Sequence, residues 1–235
     1  MNKTIVISGG SKGIGKSIAL LFAKKNFNII TCSRNNDELK ILKTELKQLN
    51  DKIEVYIFKA DLSVKDQCRS FTEFVKSCTK EIDILVNNVG TFIPGKIIEE
   101  KESVLKSMMD VNFFSNYWVT KGLINLMIHK KKGHIFNMCS IASKIAYSNG
   151  GSYCISKFAL YGMSQCLREE LKDFGIKVTS ILPGATRTGS WDGTVFPDDR
   201  FINADDVSKS LYSAYNTSKG ATVEEIIIRP QLGDL

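Results

Sequence analysis

Seven short runs rich in valine, isoleucine and leucine recur along this 235-residue chain, separated by six segments with the apolar spacing of helices. Several of these runs are continuously apolar, which is typical of strands covered on both faces, as in a parallel sheet. The pattern predicts strands over 3–8, 27–33, 53–58, 82–87, 133–139, 176–182 and 223–229, and helices over 13–25, 36–49, 64–80, 99–130 (with a break or bend near Asn112), 151–174 and 204–216. We therefore expect an α/β fold, a doubly wound parallel sheet of about seven strands with helices on both faces, in a single domain over 1–235.

A glycine-rich turn joins the first predicted strand to the first predicted helix. Gly9, Gly13 and Gly15 have the spacing Gly-x-x-x-Gly-x-Gly, which differs from the Gly-x-Gly-x-x-Gly of the common dinucleotide fingerprint. Glycines allow the backbone to approach a pyrophosphate, and the free N–H groups and the dipole of a helix N-terminus bind it. Because the turn directly follows the first strand, it favours a dinucleotide site over a plain loop, the alternative for any glycine-rich turn.

Tyr153 and Lys157 are four residues apart, which places both side chains on one face of a helix. A phenol titrates near pH ~10, so it is a poor proton donor or acceptor at neutral pH until a nearby positive charge stabilises its phenolate. Lys157 supplies that charge, and the hydroxyl of Ser140, thirteen residues before Tyr153, is suited to orient a reacting oxygen. The pattern predicts acid/base chemistry, although the four-residue spacing alone is common in helices.

Together these features resemble the short-chain dehydrogenase/reductase family, in its ordinary single-domain, Rossmann-like form. The matching motifs, in chain order, are Ser8-Gly9, Gly13-Ile14-Gly15, Asp61, Asn87-Asn88-Val89-Gly90, Asn112, Ser140, Tyr153, Lys157 and Pro183-Gly184. The resemblance covers residues 3 to about 189. Two positions depart from the family pattern, since Ser8 replaces the usual threonine and Val89 replaces the usual alanine.

The resemblance implies an NADP-dependent oxidoreductase that transfers a hydride reversibly between the nicotinamide and a small carbonyl or alcohol substrate. Tyr153 would act as the general acid or base, Lys157 would lower its pKa, and Ser140 would hold the substrate oxygen. Asn112 would bend its helix and anchor a water that relays protons to Lys157, the alternative being an ordinary polar helix residue. The residues expected to contact the cofactor are Gly9, Ser11, Lys12, Gly13, Ile14, Gly15, Arg34, Asp61, Leu62, Asn88, Val89, Gly90, Tyr153, Lys157, Pro183, Gly184 and Thr188.

Two basic residues near the expected ribose position predict NADP(H) rather than NAD(H). Arg34 stands nineteen residues beyond Gly15, and no acidic residue occupies positions 31–36. An acidic residue there would bind the ribose hydroxyls of NAD, whereas arginine accommodates the phosphate of NADP. Lys12, inside the glycine turn, is the second candidate cation. The alternative is that both are ordinary surface residues.

Several predicted cofactor contacts have structural alternatives. Asp61 and Leu62 are expected near the adenine, but Asp61 would also suit a cap for the helix that starts near Val64. The glycines of the later loops, Gly90 and Gly184, are expected to allow close approach of the cofactor, and would otherwise only form turns.

Residues 185–203 are predicted to cover the substrate, with Trp191 and Phe196 as an apolar lid or, alternatively, as core or subunit contacts. The further candidate lining residues are Phe92, Ile141 and Tyr147.

A 3-oxoacyl-thioester reductase of fatty acid synthesis is an alternative function. The tail 223–235 disfavours it, because this tail lacks the glycine-rich ending of typical 3-oxoacyl-carrier-protein reductases. A non-catalytic NADP-binding sensor is a second alternative, and an epimerase or dehydratase would need more C-terminal structure.

The composition predicts a cytoplasmic protein without nucleic-acid, membrane or metal partners. The formal net charge of +7 comes with lysine clusters typical of solvated faces and with no aromatic interleaving. A strand beginning at residue 3 leaves no room for a signal peptide, and no apolar stretch approaches the roughly 18 residues of a membrane span. The six cysteines are scattered, which indicates reduced thiols, and neither His129 nor His134 has metal-ligand neighbours.

The helices over 99–130 and 151–174 carry more apolar residues than one buried stripe requires. These residues are Met108, Met109, Phe113, Phe114, Tyr117, Trp118, Phe158, Tyr161 and Met163. The excess predicts a second buried face, and therefore a homodimer or homotetramer, unless the helices simply have a wide buried face.

Overall fold

The computed structural model describes residues 2–191 and 193–235, and the strands in this part of the chain form one fully parallel sheet. The strands are β1 (Thr4–Ser8), β2 (Asn28–Ser33), β3 (Val55–Lys59), β4 (Ile84–Asn87), β5 (Gly133–Met138), β6 (Ile176–Pro183) and β7 (Glu225–Ile228). Their order across the sheet is β3-β2-β1-β4-β5-β6-β7, so successive strands move outward in opposite directions from β1 and β4. This arrangement confirms the expected fold, and it opens a crevice at the carboxyl ends of β1 and β4.

The helices lie close to their predicted positions. They are α1 (Gly13–Lys24), α2 (Asn36–Leu49), α3 (Lys65–Cys78), α4 (Glu102–Met109), α5 (Ser115–Leu123), α6 (Asn125–Ile128), α7 (Gly151–Leu171) and α8 (Ala204–Tyr215). The last predicted turn of α7 is a 3-10 helix over Lys172–Phe174. The segment predicted as a helix over 99–130, with a break or bend near Asn112, divides into α4, a π-helical turn over Asp110–Phe114, α5 and α6.

The π-helical turn is the break that the sequence predicted near Asn112. The N–H of Ser115 bonds to the carbonyl of Asp110, five residues back, in place of the four of an α-helix. The carbonyl of Asn112 accepts instead from the side-chain amide of Asn116, at 2.7 Å. Asn112 is fully buried, so the irregular turn brings a polar side chain into the interior at the edge of the sheet.

Alternate residues of each strand pack into separate cores on the two faces of the sheet. In β1, Ile5 packs in a cluster with Phe22 of α1 and Leu211 of α8, whereas Val6 packs in a second cluster with Phe71 of α3. Because both faces are covered, most strand residues are apolar, and each large side chain buried here contributes about 1.5–3 kcal/mol. Among the residues that the structure describes, every helix is too short or too polar to cross a lipid bilayer.

Candidate active site

The glycine turn after β1 is braced from the end of β4. The side-chain amide of Asn88 donates to the carbonyls of Ser8 (3.1 Å) and Gly9 (2.9 Å). The hydroxyl of Ser8, which is fully buried, accepts from the backbone N–H groups of Asn88 (2.9 Å) and Val89 (3.3 Å). These bonds fix the turn against the neighbouring strand end and explain why serine suits a position where the family has another hydroxyl residue.

The turn has the shape that a dinucleotide pyrophosphate requires. Gly9 and Gly13 have φ of +71° and +55°, in the left-handed region that favours glycine. A Cβ atom on Gly15 would lie 2.2 Å from the carbonyl oxygen of Gly9. Within the described chain, the side chain of Lys12 makes no capping bond to α1, and the first turn of α1 carries no acidic residue. The helix N–H groups are therefore available to an anion, which fits a bound dinucleotide.

Tyr153 and Lys157 share one face of α7, with the Nζ of Lys157 5.9 Å from the centroid of the tyrosine ring. Lys157 is 4 % exposed and donates to the carbonyl of Met138, at the end of β5, at 2.8 Å. Burial lowers the pKa of Lys157 to about 8. Burial raises the pKa of Tyr153, and a hydrogen bond with the Ser140 hydroxyl opposes this rise. At neutral pH the lysine is mainly cationic and the phenol retains its proton.

Ser140 is held in place by the short 3-10 turn Ile141–Ser143 that it caps. Its Oγ accepts from the N–H of Ala142 (3.1 Å), and the Oγ of Ser143 accepts from the N–H of Ser140 (3.2 Å). This reciprocal pattern is a capping box, which fixes both the backbone and the hydroxyl at the end of β5. The Ser140 hydroxyl is thus presented to Tyr153 from a rigid support.

Asn112 connects the loop after β4 to α7. Its side chain accepts from the N–H of Thr91 (2.7 Å) and donates to the carbonyl of Thr91 (3.0 Å) and to the hydroxyl of Ser156 (2.9 Å). A Cβ atom on Gly90 would lie 3.2 Å from the Nζ of Lys157 and 3.4 Å from the Oδ1 of Asn112. The structure therefore brings Asn112 and Lys157 to the same small residue, and joins all four predicted catalytic side chains in one cluster.

A carboxylate that the sequence interpretation missed lies at the predicted ribose position. Glu38, in the first turn of α2, pairs with the Nζ of Lys12 at 2.9 Å and accepts from the Oγ of Ser11 at 2.9 Å. Glu38 lies two residues beyond positions 31–36, where the prediction found no acidic residue. Arg34 is exposed and has no ion-pair partner in the described chain. Of the two predicted phosphate-binding cations, Lys12 therefore already carries a counter-ion.

The side chains of Asp61 and Leu62 both make contacts within the protein. The carboxylate of Asp61 accepts from the N–H (3.0 Å) and the hydroxyl (2.7 Å) of Ser63. Val64 is the N-cap residue of α3, so the alternative that Asp61 caps this helix is wrong. The side chain of Leu62 is 4 % exposed and packs in the core with Phe71. The contact of Asp61 and Leu62 with the adenine stays a prediction.

The segment after β6 closes over the glycine turn. Pro183 ends β6, and the N–H of Gly184 bonds to the carbonyl of Ile228 at 2.8 Å. The Cγ2 of Thr188 lies 3.1 Å from the position that a Cβ on Gly13 would take. Thr188 therefore contacts the turn expected to bind the cofactor, although the two are distant in sequence.

A family model described as short chain dehydrogenase matches residues 3–195 of the chain. The chain belongs to this family. Dehydrogenase/reductase SDR family member 7B of Xenopus tropicalis is 32% identical over 230 residues, covering 94% of this chain and 71% of the relative. A diacetyl reductase [(S)-acetoin forming] of Staphylococcus epidermidis is also 32% identical, over 207 residues, covering 88% of this chain and 79% of the relative.

Two solved structures superpose on nearly the whole chain. An alcohol dehydrogenase from the archaeon Thermococcus sibiricus, complexed with 5-hydroxy-NADP, has a TM-score of 0.91 at 23% identity, covering 98% of this chain and 97% of that one. A metagenomic short-chain oxidoreductase in complex with NADP has a TM-score of 0.84 at 25% identity, with 97% of each chain covered. The expected family and fold are both confirmed.

The residues that the sequence predicts to line or cover the substrate have different surroundings. The ring of Phe92 packs on Tyr153, with centroids 4.8 Å apart, and burial and the neighbouring Tyr153 raise the pKa of Tyr147. Trp191 packs instead on Phe201, at 5.1 Å, within its own segment 185–203. Phe196 is 41 % exposed. Asp192 of this segment lies outside the described residues, and the lid role of Trp191 and Phe196 stays a prediction.

A second missed acidic residue supports the start of α7. The carboxylate of Glu100 accepts from the N–H (3.1 Å) and the hydroxyl (2.8 Å) of Ser152, the residue before Tyr153. This bond caps the helix from a segment 52 residues away in sequence. A carboxylate at a helix N-terminus also interacts favourably with the helix dipole. Glu100 thereby positions the turn that carries the tyrosine, a role that no local motif indicates.

Proposed function

We propose that this short-chain dehydrogenase transfers a hydride between NADP(H) and a small carbonyl or alcohol, with Tyr153 as the general acid or base. The observation that carries the proposal is the cluster of Ser140, Tyr153, Lys157 and Asn112 beside a glycine turn at the same edge of one sheet. Proton donor, cation and dinucleotide cradle are thus within one crevice, as hydride transfer to a carbonyl requires. In this proposal a single NADP-binding domain spans residues 1–235.

The proposed cofactor is NADP(H), in agreement with the NADP complex of the 25% identical metagenomic oxidoreductase. In this chain Gly9, Gly13 and Gly15 would hold the pyrophosphate, and Arg34 would pair with the ribose phosphate. Lys157 would bind the hydroxyls of the nicotinamide ribose. When bound, the cofactor supplies or accepts the hydride.

The protein would supply the proton for the reaction and would position the substrate oxygen that receives it. The raised pKa of Tyr153 keeps the phenol protonated at neutral pH, so it can protonate the oxygen of a carbonyl undergoing reduction. Ser140, hydrogen-bonded to Tyr153, would orient the same substrate oxygen. The nearby cation of Lys157 stabilises the phenolate left after proton transfer. Asn112 donates a hydrogen bond to Ser156 of α7 and would hold the water of the proton route to Lys157 in place.

The proposed substrate is small and partly apolar. Phe92 and Tyr147 flank Tyr153 with aromatic surface, and Phe92 is 38 % exposed. The 32% identical relative named as a diacetyl reductase supports including vicinal diketones among the candidates. Residues 185–203 would cover the substrate once it is bound.

The test is a turnover screen with NADPH over diketones, ketones, aldehydes and 3-oxoacyl thioesters, followed by Tyr153→Phe on the best substrate. The variant keeps the ring that packs on Phe92 and loses only the phenolic oxygen. We expect turnover to fall at least a thousandfold while NADPH affinity changes less than about threefold. Wild-type turnover by the variant would refute the mechanism. Tight cofactor binding with no turnover of any compound would favour the sensor alternative.

We also propose that the protein forms a homodimer or homotetramer. Large apolar side chains remain exposed on α4, α7 and the π-helical turn, and they are Leu105, Phe114, Ile155 and Phe158, each 39–44 % exposed. Met108 is fully buried, so it does not belong to the predicted excess. Exposed apolar side chains on three elements that pack together favour burial against a second copy. A monomeric mass by light scattering at micromolar concentration would exclude this assembly.

A further inference from the structure

The carboxylate of Glu38 occupies the corner between the glycine turn and the β2–α2 loop. It contacts the Nζ of Lys12 and the Oγ of Ser11 with different oxygens, each at 2.9 Å. The two segments it joins are those that would lie on either side of the adenosine ribose. A carboxylate therefore stands where the phosphate that distinguishes NADP from NAD would be placed.

Local structure holds Glu38 in this orientation. Asn35 is the N-cap of α2, and its Oδ1 accepts from the backbone N–H groups of Asp37 (2.9 Å) and Glu38 (3.2 Å). The Asn35 side-chain amide also donates to the Oε1 of Glu38 at 3.2 Å. The Lys12 ammonium, and then the Ser11 hydroxyl, hold the pKa of the Glu38 carboxyl below its usual range. The group is consequently ionised at neutral pH.

The charges at this corner favour the two cofactors in opposite directions. A carboxylate near the ribose binds the two hydroxyls of NAD, whereas basic residues bind the phosphate of NADP. Arg34 therefore favours NADP, and Glu38 favours NAD. Glu38 also pairs with Lys12, whose side chain is 72 % exposed and would otherwise be free to reach a phosphate.

We propose that Glu38 is a specificity-determining residue that reduces the preference of this enzyme for NADP(H) over NAD(H). The inference rests on the proposed dinucleotide site. NADP would bind only after Lys12 exchanges the carboxylate for the phosphate, and the displaced carboxylate would still repel it. NAD requires no such exchange and can use the carboxylate as a hydrogen-bond acceptor.

The test compares Glu38→Gln with Glu45→Gln, a matched control in the same helix. Glu45 pairs with Lys16 of α1 at 2.7 Å, so both variants remove one negative charge and one ion pair between α2 and a lysine at or near the start of α1. Dissociation constants for NADPH and NADH are measured by nucleotide fluorescence, with thermal unfolding as a check on folding. For Glu38→Gln we expect NADPH to bind about threefold to tenfold tighter and NADH to bind no better. For Glu45→Gln the ratio of the two constants should change less than twofold.

An unchanged ratio in Glu38→Gln, with both cofactors still binding, would overturn the inference and leave the proposed function intact. Equal weakening of both cofactors would also overturn it, because it would indicate a purely structural role. If the wild-type protein binds neither NADPH nor NADH, the proposed function fails and the inference fails with it. Raising the salt concentration should reduce the gain of Glu38→Gln, since part of it is charge repulsion near the surface.

Discussion

Replacing Lys157 by methionine should stabilise the protein while removing its proposed activity. Burial lowers the pKa of this lysine from an ordinary 10.5 to about 8, so at pH 7 the folded protein holds a charge that its surroundings disfavour. A difference of this size corresponds to about 3 kcal/mol. Methionine keeps most of the apolar chain and loses the charged hydrogen bond to the Met138 carbonyl, worth about 1.5–3 kcal/mol. The free energy of unfolding should therefore rise by about 1 kcal/mol at pH 7.

The pH dependence of this gain has a definite sign. Below pH 8 both the folded and the unfolded wild-type protein hold the lysine proton, and the full penalty is present. Between pH 8 and 10.5 the folded state loses the proton while the unfolded state still binds it, so wild-type stability rises with pH relative to the variant. At pH 10 the penalty has fallen below about 1 kcal/mol, and the advantage of Lys157→Met should disappear.

Urea unfolding of the cofactor-free protein at pH 7, 9 and 10 measures this difference. Lys43→Met is the matched control, because Lys43 is an exposed lysine of α2 and its replacement removes a charge without relieving a buried one. The control should gain little stability at any of these pH values. If Lys157→Met is no more stable than the wild type at pH 7, or if its gain is the same at pH 10, the reasoning from the buried charge is wrong.

Three further predictions test separate parts of the site. Glu100→Ala removes the cap on Ser152, so the free energy of unfolding, measured with urea, should fall by about 1 kcal/mol. Turnover, measured as kcat, should fall severalfold. Unchanged values of both would exclude the positioning role of Glu100. Wild-type protein should bind NADPH at least tenfold tighter than NADH, and Arg34→Asp should bring the two dissociation constants level, which equal constants in the wild type would contradict. Ser8→Ala leaves the N–H of Asn88 without its acceptor and should cost about 1–3 kcal/mol of stability, whereas Ser8→Thr keeps the hydroxyl and should cost less.

The strands could be predicted from sequence because both of their faces are buried. In β1 and β4 every residue is buried and the central residues are apolar, so these runs stand out from the amphipathic helices around them. The segment 99–130 was harder, since nothing in its composition distinguishes a π-helical turn from a continuous helix. Its irregularity depends on bonds from Asn112 to Thr91 and Ser156, which are distant in sequence.

The two acidic residues that the sequence interpretation missed have the same explanation. Glu38 meets Ser11 across 27 positions, and Glu100 meets Ser152 across 52. Glu38 follows the N-cap residue Asn35 by three positions, but that local spacing does not indicate its contact with the glycine turn. Both acidic residues act on a loop or helix end that only the fold brings beside them. Tyr153 and Lys157 could be predicted because their relation is a single helical turn, which is fixed by backbone geometry alone.

The π-helical turn over Asp110–Phe114 also sets the rotation of α4 relative to α5 about their common axis. One residue corresponds to about 100° of rotation about an α-helix axis. If the same residues formed a regular α-helix, the extra residue of the wider turn would rotate α4 and α5 relative to each other by about that angle. Met108 on one side and Val119 and Leu123 on the other, all now buried, could not then all face the interior. The packing of both helices thus maintains the irregular turn and the position of its asparagine.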